Sequence, residues 1–279
     1  MADATLRFFD QEFDLDIAKV MPDIPYPFPQ RSVQQANDWR LFEPIDPGQS
    51  RFFRERAESV ASIRDVLGMD TPVIMTVFSP LAEAMYAARD RELFLAHLEE
   101  HPALIHEVLT TIAMNLNNHI RDIIAAGADG VFFSVQGITS DVLSEAQYRE
   151  FGRPYDLLAL RGGSDGWLNV LHVHGEKNLM FDLVLDYPVQ VMSWSDRLAG
   201  PSLREVRVKT SKALMGGWNE FGPLSQGPLE QIQAEAEDAI AQTGGRKFIL
   251  ANGCSVPDDT DHSLLEAARD IAQNLHPST

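Results

Sequence analysis

An α/β fold, a TIM-barrel-like (β/α)8 architecture that is distorted and one strand short, is predicted by three observations. Short runs rich in Val, Ile and Phe alternate with longer stretches of helical period along the chain, the pattern of βα units around a parallel sheet. Seven such runs occur, where a closed barrel takes eight. Polar residues gather just beyond them, at the edge where barrels of this kind keep their sites.

The strands are expected at 16–21 (DIAKVM), 72–78 (PVIMTVF), 130–136 (GVFFSVQ), 168–174 (LNVLHVH), 189–194 (VQVMSW), 213–217 (ALMGG) and 247–252 (KFILAN). Of the helices, 101–126 is the clearest, with Leu104, Ile105, Val108, Leu109, Ile112 and Leu116 at three- and four-residue steps, so one face packs on the sheet. Others are expected at 53–67, 81–97, 144–160, 176–186, 226–243 and 262–275. Glycines end several of them, as in Ala126-Gly127-Ala128-Asp129-Gly130 and Thr243-Gly244-Gly245, where a left-handed cap suits glycine. Residues 23–50 hold DIPYPFP and EPIDPG, too proline-rich for regular structure, and two readings fit: a lid or binding loop, or a wrap over one end of the barrel. No internal linker appears, so 1–279 is taken as a single domain.

Composition narrows the function. The 279 residues carry 23 basic against 41 acidic side chains, a net charge of -18. Nucleic acid is thereby excluded as a partner, because Lys and Arg must neutralise its phosphates. No apolar run approaches the roughly 20 residues of a membrane span, and the acidic start MADATLRFFDQEFDLD is not a secretion signal, so no membrane association and a cytoplasmic address are expected. The single cysteine, Cys254, cannot form an internal disulfide; it is either a small buried hydrophobe or a thiol available to a metal.

In Leu171-His172-Val173-His174-Gly175-Glu176, strand alternation sends both imidazoles to one face at the C-terminal end of the fourth strand. Cys254 follows the seventh strand at the same edge. Two histidines and a cysteine make three zinc ligands with a fourth position open, the arrangement of a catalytic site. A pair of histidines in a polar network is the plainer alternative. Around this edge lie Asp23, Ser79, Ser134, Gln136, Trp194, Asp196, Arg197, Trp218 and Asn219, as substrate contacts or as caps of the next helix. Lys19 shares a face with Met21 and Asp23 and calls for a carboxylate partner. Asp196 and Arg197 also fit an ordinary salt bridge, and Tyr86 a packing role.

With these residues in hand, the chain resembles the uroporphyrinogen decarboxylase superfamily, which includes corrinoid-dependent and thiol-directed zinc methyltransferases. DLDIAKVMPD, TVFSPLAEAMY, AGADGVFFSVQG, NVLHVHGEKN, DYPVQVMSWSDR, LMGGWNE and NGCSVPDDT carry the likeness over nearly the whole chain, in the family's order and spacing. The resemblance implies a distorted (β/α)8 barrel with its site at the C-terminal edge. It places the methyltransferases' zinc ligands at His172 and Cys254, with His174 standing where those enzymes have cysteine. An imidazole in place of a thiolate leaves more residual positive charge on the ion, so a bound thiol is polarised more strongly.

The decarboxylases grip their substrate with an arginine-bearing loop and an aspartate; Asp23 matches the aspartate, and nothing before it matches the loop. The resemblance implies that the family's first strand is missing, which is the expected reason for the count of seven. A barrel opened in this way exposes two unpaired edges, to be covered by a neighbouring chain, the first dozen residues or the long loop. A homodimer is the expectation drawn from the family.

The leading reading is therefore a zinc-dependent methyltransferase that moves a methyl group between a corrinoid, carried by a partner protein, or another donor and a small thiol. In it Lys19, Ser79, Ser134, Gln136, Asp196, Arg197 and Asn219 orient the substrate, Trp194 and Trp218 wall the site, and Asp23 moves a proton. A metal-independent carboxy-lyase using Asp23, and a non-catalytic ligand-binding barrel, are the alternatives.

Overall fold

In the computed structural model, which describes residues 1–22, 26–29, 32–46 and 48–275 apart from the side chains of 10 and 11, seven parallel strands pair in chain order. They are β1 (Ala18–Val20), β2 (Val73–Phe78), β3 (Gly130–Val135), β4 (Val170–Val173), β5 (Val191–Trp194), β6 (Ala213–Trp218) and β7 (Phe248–Asn252). The sheet curls into the distorted TIM-barrel-like fold expected from the seven apolar runs. Its register runs from Lys19 opposite Ile74 to Trp218 opposite Asn252.

Alternation sorts the side chains onto two faces, and both are buried. Outward, Val73, Met75, Val77, Val131, Phe133, Val135, Leu171, Val173, Met192, Trp194 and Leu214 pack under the helices in the main core. Inward, Ile74, Phe132, Leu168, Val170, Val191 and Met215 form a separate apolar plug, joined by Ile17, Ala213, Ile249 and Ala251. Each fully buried side chain of this kind contributes roughly 1.5–3 kcal/mol. Farther along the same inward face stand Lys19, Thr76, Ser134, His172 and Ser193, so the interior turns from apolar to polar toward its C-terminal edge. The β3 and β4 approach is close: a Cβ on Gly130 would lie 2.0 Å from the Leu168 carbonyl oxygen, which only glycine permits.

Helices Arg51–Leu67, Pro102–Ala125, Leu229–Thr243 and His262–Asn274 stand close to their expected places. The expected 81–97 helix divides into Pro80–Ala87 and Arg91–Glu100, because Asp90 turns out of helical geometry to cap the second piece, its side chain accepting from the Leu93 amide at 2.8 Å. Residues 144–160 stay helical but open into a π-turn at Tyr148–Gly152, where Pro154 supplies no amide hydrogen to the turn before it. No α-helix forms over 176–186, only the short 3₁₀ turn Phe181–Val184. Asn178 there has a φ of 52°, and Leu179 bridges Thr139, so the nearly unbroken apolar run is spent on packing instead of on one helical face.

The described parts of 23–50 wrap the outside of the barrel. Trp39 and Tyr26 are buried in the main core, Trp39 donating to His97 Nδ1 at 3.1 Å. Asn115 on the helix Pro102–Ala125 donates to the Tyr26 hydroxyl at 2.8 Å and accepts from the Ile45 amide at 2.8 Å. At the opening between β1 and β7 the first residues reach across: the Phe13 ring meets His262 at 5.3 Å between centroids, and Arg269 donates to the Phe13 carbonyl at 3.3 Å. Of the three covers expected for that gap, the chain's own start makes these contacts. Among the described residues no helix is long and apolar enough to cross a membrane.

Candidate metal centre

His172 and His174 project from the end of β4, and Cys254 from the turn after β7. One ligand atom from each lies within 4.8 Å of the other two. The Cys254 sulfur is 3.7 Å from His174 Nδ1. Two donors sharing a tetrahedral zinc, with Zn–S near 2.3 Å and Zn–N near 2.05 Å, would stand about 3.6 Å apart. The residues present thus fit such an ion in kind and in spacing.

Their protonation states suit the same task. Burial pushes His172 down to about 3, helped by His174 and Lys19, and burial also lowers His174, so both imidazoles are neutral donors. Burial raises the Cys254 thiol, which opposes a free thiolate and makes a metal-free nucleophilic cysteine a poor reading of the pair. His172 stacks on Phe132 at 5.0 Å, and its Nδ1 lies 3.3 Å from Ser193 Oγ. That contact leaves Nε2 as the ring's free corner, and a hydrogen bond on one nitrogen settles what the other can do.

Lys19 reaches into the same mouth, its ammonium 4.6 Å from the centre of the Phe132 ring. The carboxylate partner expected for it is absent among the described residues; the ring face serves instead, and desolvation of the ammonium lowers the lysine. Ser134 is inward and buried on β3, one strand from His172, with which it is in register. Gln136, half-buried, donates to the Tyr86 hydroxyl, so Tyr86 faces the edge and is half exposed. Asp23 lies outside the described residues.

The remaining expected contacts stand elsewhere, for reasons of register and capping. Ser79 is the cap of helix Pro80–Ala87, accepting from the Ala82 amide at 3.3 Å. Trp194 follows inward Ser193 and therefore points outward, packing on Phe181 at 4.7 Å and donating to the Pro201 carbonyl at 2.7 Å. Trp218 is buried among Leu224, Ile232 and Ala268, with its indole donating to the Ile232 carbonyl, so neither tryptophan walls the trio. Arg197 ties the helix Leu229–Thr243 to β6, donating to the carbonyls of Gly217 at 2.8 Å and Glu235 at 2.7 Å and pairing with Asp238 at 2.5 Å. Asp196 accepts from the Gly217 amide at 2.9 Å and lies 3.8 Å from Arg197; burial raises it to about 6. Asn219 closes a turn by accepting from the Phe221 amide at 3.1 Å.

One residue beyond Asn219 stands a group that the sequence reading passed over. Glu220 is fully buried, accepts through Oε1 from the Ser195 hydroxyl, and among the described residues has no hydrogen-bond partner at Oε2. Its place directly after β6 was the available signal; its burial was not visible from the chain. Thr76 Oγ1, inward on β2, is likewise buried without a partner among the described residues.

Comparison with known proteins agrees with this architecture. The uroporphyrinogen decarboxylase (URO-D) family matches residues 14–275. The chain is 25% identical over 247 residues to a uroporphyrinogen decarboxylase of Neisseria meningitidis serogroup C (strain 053442), covering 78% of this chain and 64% of that one. It is 24% identical over 265 residues to the enzyme of Synechococcus sp. (strain CC9605), covering 88% and 70%. The chain thus spans under two thirds of the length of the Neisseria relative. Among solved structures, a methyltransferase from Methanosarcina mazei superposes with a TM-score of 0.76 at 18% identity, over 98% of this chain and 84% of that one. A B12-independent methionine synthase from Shewanella sp. W3-18-1 gives 0.56 at 12% identity, over 78% and 66%. At such identities the two structures share the fold.

Proposed function

We propose that this chain, which belongs to the uroporphyrinogen decarboxylase family, is a zinc-dependent methyltransferase acting on a small thiol. The observation that carries the reading is the convergence of His172, His174 and Cys254 within 4.8 Å at the C-terminal edge of the barrel. Of the proteins of the same fold, that from Methanosarcina is named a methyltransferase and that from Shewanella a B12-independent methionine synthase, and the first name supports the same reaction class here. A zinc ion bound by the three would supply the positive charge that turns an incoming thiol into a thiolate at neutral pH.

The protein's own groups divide the remaining work. The imidazoles of His172 and His174 offer neutral nitrogens, and Cys254 gives up its proton to serve. Ser193 holds the His172 ring, and Phe132 stacks beneath it. Lys19 places positive charge beside the sulfur, favouring an acceptor in its anionic form. Ser134 and Gln136 offer hydrogen bonds to the acceptor, and Asp23 remains the candidate for proton movement. The methyl donor in this reading is a corrinoid held by a partner protein or another methyl donor, and the chain acts as a homodimer in the cytoplasm.

Metal analysis tests it. About one zinc per chain is expected in the wild type, lost in the double variant His172→Ala plus Cys254→Ala, and zinc retained by that variant would remove the proposed ligand set. With methylcobalamin and mercaptoethanol as probes, the zinc protein should demethylate the cobalamin and the double variant should not. The curated relatives support a second reading, decarboxylation. Release of carbon dioxide from uroporphyrinogen by the metal-free protein would select it.

A further inference from the structure

We infer that this chain pairs with a second copy of itself through the N-terminal face of the barrel, opposite the metal centre, in a twofold contact where the acidic half of each face meets the basic half of the other. The inference rests on the homodimer of the proposed function and specifies the surface that forms it.

Apolar exposure marks the face. Among the described residues the four most exposed large apolar side chains are Val208 at 83%, Met69 at 79%, Val66 at 65% and Trp167 at 60%. Met69, Trp167 and Val208 stand in the loops that enter β2, β4 and β6, and Val66 lies in the last turn of the helix Arg51–Leu67, just before the first of these loops. Because the strands are parallel, all their entrances lie at one end of the barrel. Trp167 and Met69 are linked: the indole donates to Asp129 Oδ1 at 2.9 Å, Asp129 pairs with Arg64, and Arg64 donates to the carbonyl of Gly68 at 2.5 Å, next to Met69. An indole already held by its own hydrogen bond loses little freedom on being covered, and tryptophan is a frequent anchor of protein contacts.

Charge says what covers it. The sheet runs in chain order, so the entrances of β1 to β4 are neighbours, and so are those of β6 and β7. The first group, residues 14–17, 68–72, 126–129 and 164–169, carries Asp14, Asp16, Asp70, Asp129 and Asp165 and no basic residue. Of these acids only Asp129 pairs with a cation among the described residues, namely Arg64. The second group, residues 208–212 and 244–247, carries Lys209, Lys212, Arg246 and Lys247 and no acid. Lys209 pairs with Asp182 at 2.7 Å, whereas Lys212 and Lys247 donate to the carbonyls of Tyr187 and Ser211, which leaves their charge unmatched. Between the groups, at the entrance of β5, Asp186 is matched by Arg153 at 2.7 Å.

A basic corner is unusual in a chain of net charge -18, and the same face turned over is its complement. A twofold axis in the plane of the face lays the β6–β7 corner of each copy on the β1–β4 side of the other and brings Val208 toward Val66, Met69 and Trp167. A nucleic acid would meet the acidic half together with the basic one, which disfavours it. In the pair the two barrel mouths point away from each other, and each metal centre stays open to whatever brings the methyl group.

Sedimentation equilibrium of the full chain reads the contact, with the wild type expected as a dimer. Met69→Asp plus Val208→Asp, both at exposed positions, should raise the dissociation constant about 100-fold with an unchanged circular dichroism spectrum, since each change enters a twofold contact twice. Arg246→Glu plus Lys247→Glu makes the face acidic throughout, and Asp70→Lys plus Asp165→Lys removes its acidic excess. Each of these two variants should be monomeric alone, and their mixture should form a heterodimer, a rescue that a folding defect does not imitate. A dimer that survives all three variants, or that dissociates instead in Tyr86→Asp plus Phe221→Asp at the opposite edge, would overturn the face while the homodimer stands. Should Met69→Asp plus Val208→Asp fail to fold, the absence of a heterodimer from the mixture overturns it in the same way. A wild type that sediments as a monomer overturns the face and the homodimer together, and the metal reading is untouched by either result.

Discussion

Lowering the pH from about 8 to about 6 perturbs the proposed centre through one proton, and the structure says which. The Cys254 thiol is raised by burial from its ordinary value of 9.0, so across this range it is protonated without metal and must release its proton to bind. His172, pushed down to about 3, is already neutral, and His174 is held below its ordinary 6.5. One proton released per ion makes the apparent zinc affinity fall about tenfold per pH unit, or about 1.4 kcal/mol, so about a hundredfold over the two units. Chelator competition at several pH values reads the slope. Calorimetry in two buffers of different ionisation enthalpy counts the proton directly. Cys254→Asp, ionised throughout, should bind more weakly but with a nearly flat profile. A flat profile in the wild type, or release of two protons near neutrality, would refute the assignment of one protonated thiol and two neutral imidazoles.

Three further outcomes follow from particular contacts. In Gly253→Ala the new Cβ would meet Ser195 Cα at 2.6 Å and the Trp194 carbonyl at 3.1 Å, main-chain atoms that cannot rotate away. Overpacking of about 1–3 kcal/mol should then lower the melting temperature, and zinc should be lost with it; a variant that keeps wild-type zinc would show that the Cys254 turn tolerates the shift. Arg197→Ala should destabilise by about 2 kcal/mol in urea unfolding, because its hydrogen bonds tie Gly217 to Glu235, and should leave zinc affinity unchanged; unaltered stability would return Arg197 to a substrate role. Burial lifts Asp156, between Tyr148 and Tyr187, from 3.8 to about 7, so the folded chain keeps a proton that the unfolded chain releases. That contribution to stability is complete below the unfolded value and is lost as pH rises to about 7, so the urea midpoint should fall between pH 5 and pH 8 and Asp156→Asn should flatten the fall; an equally steep fall in the variant would place the titration elsewhere.

Much of the fold was legible because its signals are local. All seven strands could be read from short apolar runs, and the helix at 101–126 from its repeating face. The same local reading failed at 176–186, where an apolar run broken only by Asp182 has no helical face to distinguish, and at 81–97, where Asp90 interrupts the helix to cap a new one. At the edge of the barrel, His172, His174 and Cys254 were legible as neighbours because each ends a strand and parallel strands end together. Trp194 was misplaced because alternation says only that it opposes Ser193; which of the two faces inward depends on how β5 lies between its neighbours.

Glu220 was beyond the reach of the sequence. Its residue type and its place after β6 can be read, but not the loss of water from both oxygens, nor that one of them finds no partner. By itself the sequence determined the alternation, the strand count and the chemical types offered at the barrel's edge, because steric limits and hydrophobic period act between residues close in the chain. Only the tertiary structure decided which face became the interior, which tryptophans became core and which carboxylate was stripped of solvent. Burial and electrostatic environment are sums over groups brought together from distant parts of the chain.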